Sequence, residues 1–161
     1  MCSPTVVFTL GYQLRSVGEF IDELCAAGVD AVVDVRDTPL SRKQGFSKNA
    51  LTVALASKGI EYFHARFAGN PRENRHGPIT HKECLDRYRD YLDSEPQIIE
   101  ELDSLFNGYF ATAGRVCLIC YERHPDDCHR SILLDRWCER MAPPVVIQHL
   151  GTEGAPRFIR Q

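Results

Sequence analysis

The chain reads as an α/β protein, a three-layer α/β/α sandwich around a mostly parallel, Rossmann-like sheet of about five strands. Short β-branched apolar runs alternate with segments of helical periodicity, and the runs are apolar at successive positions rather than at every second one. That is the pattern of parallel strands covered on both faces. Length agrees, since 161 residues at 43% hydrophobic content suffice for a single domain, 1–161, with a substantial core.

The elements follow in order. Thr5 to Leu10, closed by Gly11, is the first strand. Ser16 with Glu19 forms a capping box, and Val17, Phe20, Ile21, Leu24 and Cys25 follow at helical spacing until Gly28 stops the helix. Ala31 to Val35 is the second strand, Ser47 caps a helix running to Gly59, and Ile60 to His64 is the third strand. Thr80 with Glu83, and Ser94 with Gln97 and Pro96, predict helices near 81–93 and 95–107. Arg115 to Tyr121 is strand four, residues 128–141 the next helix, and Val145 to His149 the last strand. Residues 65–80, an insertion, and 150–161, a tail, read as irregular.

Right-handed crossovers then predict the strand order 3-2-1-4-5, with strand one central because it is apolar on both faces. Strands one and four meet at the switch point, so the loops after Leu10, Val35 and Tyr121 converge on one crevice.

The formal charge of −3 hides an asymmetry. Residues 34–76 hold eight Lys/Arg against four Asp/Glu, which makes this segment +4 and the rest −7. Seven cysteines without framework spacing read as reduced thiols of a cytoplasmic protein, and the start, MCSPTVVFTLGY, has neither a basic n-region nor an apolar run for export or membrane spanning.

Chemistry concentrates in VCLICYERHPDDCHRSILLDRW, Val116 to Trp137. A buried strand runs into a polar loop and then a helix start, where Asp126 or Asp127 caps and Cys128 to Arg130 fill the first turn. Cationic neighbours and the positive end of the helix dipole favour an anion or a thiolate there. Together with TLGYQLRSVGEF, DVRDTPLSRKQGF and GIEYFHARFAGNPR, this stretch resembles the domain of unknown function 488 family over roughly residues 5–140. The resemblance implies a three-layer α/β/α fold and no particular activity. The family's pattern falls here on Asp34, Arg36, Ser41, Arg42, Phe46, Cys120, Glu122, Cys128, His129 and Arg130. Where the family commonly shows Gly-His-Ser after the first strand, this chain has Gly11, Tyr12 and Gln13.

The candidate site therefore comprises Glu122 as proton carrier and Cys128 as nucleophile. Gly11, Tyr12, Asp34, Arg36, Arg42, His129 and Arg130 are its binding residues. Arg36, Arg42 and Arg130 suit a small anionic or phosphorylated ligand such as a nucleotide, although pairing with Asp34, Asp37 and Glu122 would satisfy them without one. The alternatives are a metal-binding protein, or nucleic-acid binding through the basic segment 36–75, including Arg66, Arg72 and Arg75, with Phe46, Tyr62, Phe63 and Phe67 as stacking groups. No cofactor is implied, and oligomeric state stays open. Zinc on Cys117, Cys120, Cys128 and His129 is disfavoured, because side chains three apart on a strand face opposite sides of the sheet. No GxGxxG or GxxxxGK[ST] supports a dinucleotide or P-loop site.

Overall fold

A computed structural model describes residues 4–152 and 157–158. In chain order its elements are β1 (Thr5–Gly11), α1 (Val17–Ala26), β2 (Ala31–Asp34), α2 (Lys48–Ala56), β3 (Glu61–His64) and a 3-10 turn at Arg66–Ala68. Then come α3 (Arg72–Arg75), α4 (His81–Ser94), α5 (Gln97–Phe110), β4 (Val116–Cys120), a 3-10 turn at Pro125–Asp127, α6 (His129–Met141), β5 (Val145–His149) and β6 (Arg157–Phe158). The sheet runs β3-β2-β4-β1-β5-β6, with the first five strands parallel and β6 antiparallel to β5.

This corrects the expected order: β4 and β1 are exchanged, and β4 holds the centre of the parallel set. The reason is visible in burial. All five residues of β4 are buried, whereas β1 opens with Thr5 and Val6 half-exposed. Val116 pairs with Val7 on one side and with Ala31 on the other. The switch point survives the exchange. β1 and β4 are neighbours, and their crossovers leave in opposite directions, toward β2 through α1 and toward β5 through α6, so the crevice opens between their C-terminal ends.

Alternation along the strands sorts side chains into two cores. Phe8, Leu10, Val32, Cys117 and Ile119 pack with α1 and α2, while Val7, Val33, Leu118 and Cys120 pack with α4, α5 and α6. Trp137 of α6 is wholly buried, lies edge-on to Phe106 of α5 at 4.7 Å, and donates from Nε1 to Asp103 at 2.8 Å. Burying such a ring removes well over 100 Å² of apolar surface from water, so α5 and α6 are held as a unit.

Local signals act as expected in α1 and α4, where Ser16/Glu19 and Thr80/Glu83 form complete capping boxes. Elsewhere the chain departs from them. Ser94 is the last residue of α4 and α5 starts from Pro96, because the Ser94 hydroxyl donates back to Tyr91 O instead of capping. Ser47 precedes α2 but accepts from Ser41 N, tying the loop rather than the helix. Neither Asp126 nor Asp127 caps α6. Both lie in the 3-10 turn, and Cys128, in extended conformation, takes the N-cap position, with His129 opening the helix. The 65–80 insertion contains α3 and a 3-10 turn, and β6 falls in the tail expected to be irregular. Among the described residues no helix is long and apolar enough to cross a membrane.

Candidate active site: thiols, a carboxyl and an imidazole at the strand ends

β1 ends on Gly11, whose backbone lies flat against that of Glu122; a Cβ there would meet Glu122 O at 1.8 Å. The next residue, Tyr12, turns its ring into the core, 3% exposed and stacked on Phe46 at 4.3 Å, and its hydroxyl accepts from Arg36 Nη1 at 3.1 Å.

β2 delivers Asp34 and Arg36 as a buried pair. Arg36 Nε donates to both carboxylate oxygens at 2.9 and 3.1 Å, Nη2 donates to Oδ2 at 2.6 Å, and Nη1 also donates to Phe46 O at 2.7 Å. Burial opposes the guanidinium charge, but the hydrogen bonds and charge of Asp34 more than offset this and raise its pKa. Tyr62 donates to Asp34 Oδ2 at 2.5 Å, and burial together with that carboxylate pushes the phenol up.

Arg130 is wholly buried, with Nη1 donating to Glu122 O at 2.7 Å and Nη2 to Arg123 O at 3.3 Å. It clamps the loop after β4 onto the start of α6. Arg42 is exposed and outside the pocket. Of the three arginines expected at an anion site, Arg36 lines the cavity and Arg42 and Arg130 do not; Arg36 and Arg130 are engaged by carboxylate and carbonyl groups, and Arg42 faces solvent. Of the proposed stacking aromatics, Phe46 is wholly buried and Tyr62 is tied to Asp34.

Where the structure does bring residues together is at the end of β4. Cys120 points toward α4 and α6, opposite to Cys117, and its Sγ lies 3.4 Å from Glu122 Oε2 and 3.6 Å from His129 Nδ1. Cys128 Sγ lies 4.0 Å from the same Nδ1. His129 Nε2 donates to Val35 O at 2.7 Å, and its ring stands edge-on to Tyr88 at 5.1 Å. Among the described residues, Cys120, Cys128 and His129 form a cluster whose donor atoms, all within 4.8 Å of one another, could hold a metal ion.

Charge is distributed unevenly over this cluster. Burial raises the Cys128 thiol, but the Cys120 S–H, His129 and Arg130 outweigh it and bring Cys128 well below the ordinary thiol value. Cys120, hydrogen-bonded to Cys128 and buried, is driven up, so of the two thiols Cys128 is the more readily ionised. Burial, then the Cys128 charge, raises Glu122. Burial lowers His129, and its bond to Cys128 outweighs this and raises it.

A cavity of about 470 Å³ opens above the cluster. Cys120, Glu122 and His129 form part of its wall together with Tyr12, Arg36, Asn70 and Arg75, whereas Cys128, 1% exposed, lies behind them. Asn70 and His81 had no expected role, and Arg75 was expected only as a nucleic-acid contact. Asn70 and Arg75 belong to the insertion read as irregular, and the Thr80/Glu83 box, which placed His81 at a helix start, did not show that this segment faces the site.

An α/β sandwich with a cavity of mixed polar and apolar lining over its switch point defines the class of this protein. The family model described as "Domain of unknown function DUF488" matches residues 16–137, most of the chain, and the protein belongs to that family. No curated protein and no solved structure matches it.

Proposed function

We propose that this protein is a small enzyme acting on a small polar substrate in the cavity at the C-terminal ends of β1, β2 and β4. The observation that carries this reading is the convergence of a thiol, a carboxyl and an imidazole, from Cys120, Glu122 and His129, on one cavity of about 470 Å³. Apolar side chains would fill that space at lower desolvation cost, so the polar set argues for chemistry rather than packing. The volume lies within the usual range for small-ligand sites, about 300–1,000 Å³.

Roles follow from position. Glu122, whose pKa burial raises, is placed at the cavity to exchange a proton with substrate. Cys120 is the sulfur that meets substrate, and Cys128 tunes it from behind. An anionic group on the substrate, a carboxylate or phosphate, meets Arg75, whose side chain is 46% exposed and carries one partner carboxylate, Asp37. The free thiols among the described residues suit a reducing, cytoplasmic setting.

A thermal-shift screen over phosphate, nucleotides and small carboxylates tests the reading. A binder is expected to raise the melting temperature, to protect Cys120 from iodoacetamide, and to lose its effect in Glu122→Gln. If no compound at millimolar concentration does either of the first two, the reading fails.

A further inference from the structure

We propose that Cys120, Cys128 and His129 bind a zinc-like divalent cation, with a fourth coordination position turned toward the cavity beside Glu122. Tetrahedral zinc, with Zn–S of ~2.3 Å and Zn–N of ~2.0–2.1 Å, needs S···N separations of about 3.6 Å and an S···S separation of about 3.8 Å. His129 Nδ1 lies 3.6 Å from one sulfur and 4.0 Å from the other, and all three donors fall within 4.8 Å. Each separation is thus within about 1 Å of the coordinating value.

The tautomer is set for the same purpose. Val35 O can only accept, so His129 Nε2 carries a proton, and the neutral ring keeps its lone pair on Nδ1, between the sulfurs. A ligating histidine is commonly oriented in this way, its remote N–H bound to a carbonyl or carboxylate. The charges also balance. Two thiolates and a neutral imidazole around a dication sum to zero, which suits side chains only 5%, 1% and 8% exposed. On binding, the protons still held by the two thiols, and any held by His129 Nδ1, pass to solvent, and no atom changes oxidation state.

Cys117 takes no part, because it packs on the opposite face of the sheet with α1 and α2. The cavity meets Cys120, Glu122 and His129 but not Cys128, so the open side of the cluster faces the cavity. Three protein ligands and one open position is the arrangement of catalytic rather than structural zinc. That a metal-bound water serves chemistry rests on the enzyme reading above; occupancy of the site does not.

The reduced full chain, stripped by chelator, is titrated with Co(II) and then Zn(II). Stoichiometric binding is expected, with thiolate-to-cobalt charge-transfer absorption, the intense visible bands of a four-coordinate ion, displacement by zinc, and protection of Cys120 and Cys128 from a thiol reagent. Cys120→Ser, Cys128→Ser and His129→Gln should each lose this binding, while Cys117→Ser keeps it, with circular dichroism reporting the fold. Absence of charge-transfer absorption in the unsubstituted chain overturns the proposal without recourse to any variant. So does unchanged binding in Cys128→Ser, or protection that is reversed by reductant and indifferent to chelator, the mark of a Cys120–Cys128 disulfide. A cobalt site without any small-molecule binder would remove the enzyme reading alone, and a binder without cobalt would remove the metal alone.

Discussion

Gly11 and Glu122 touch through their backbones, and the Cβ that Gly11 lacks would stand 1.8 Å from Glu122 O. No side-chain rotation relieves such an overlap, because both partners are main chain. Gly11→Ala should therefore cost about 3 kcal/mol or more, the upper range for overpacking, and displace the loop bearing Glu122. Urea unfolding checks this; an unchanged midpoint would refute it.

Asp34 and Arg36 form a buried ion pair, 0% and 6% exposed in their side chains. Asp34→Ala would leave the guanidinium uncompensated and should cost about 3–5 kcal/mol, whereas replacing both residues with apolar ones of similar volume should cost much less. A double-mutant cycle by chemical denaturation decides, and additive losses would show that the two act independently.

Thiol reactivity should follow exposure first. Cys25 is the exposed thiol among the described residues, so iodoacetamide should label it before Cys120 and Cys128 in metal-free protein. Cys117, buried in the α1/α2 core with its pKa raised by burial, should label only on unfolding. Peptide mapping over time reports the order, and early labelling of Cys117 would contradict the face assignment of β4.

Acid should loosen α1 and α4 at their starts. Hydrogen bonds from the Ser16 and Thr80 backbones, then their side chains, hold Glu19 and Glu83 below the usual carboxylate range. A depressed folded-state pKa contributes stability that is present above the unfolded value of about 4.3 and is lost as pH falls through the folded value. Glu19→Gln and Glu83→Gln should flatten the acid limb of the stability–pH curve, and a curve unchanged in both variants would count against these boxes.

What was legible in the sequence was local. Capping boxes at Ser16 and Thr80 involve residues three apart, and the apolar runs reveal buried strands wherever they lie. The exchange of β1 and β4 was not legible, because both runs are apolar and only their flanking residues differ in burial. Arg36 read as an anion ligand because its partners Tyr12 and Phe46 lie 24 and 10 residues away. The thiol cluster was half visible. Side-chain alternation separated Cys117 from Cys120, but nothing in the spacing shows that the loop returns Cys128 and His129 beneath Cys120.

The acceptor that orients His129 is Val35 O, an atom that every residue type supplies, since each has a main-chain carbonyl. Position 35 can therefore change its side chain without altering the imidazole's proton, and substitution scanning would pass over one of the site's determinants in silence. Only a main-chain alteration reaches it: an ester in place of the Val35–Arg36 amide weakens the carbonyl as an acceptor and leaves every side chain intact. The inheritance of this site is thus carried partly by strand geometry, which sequence comparison does not see.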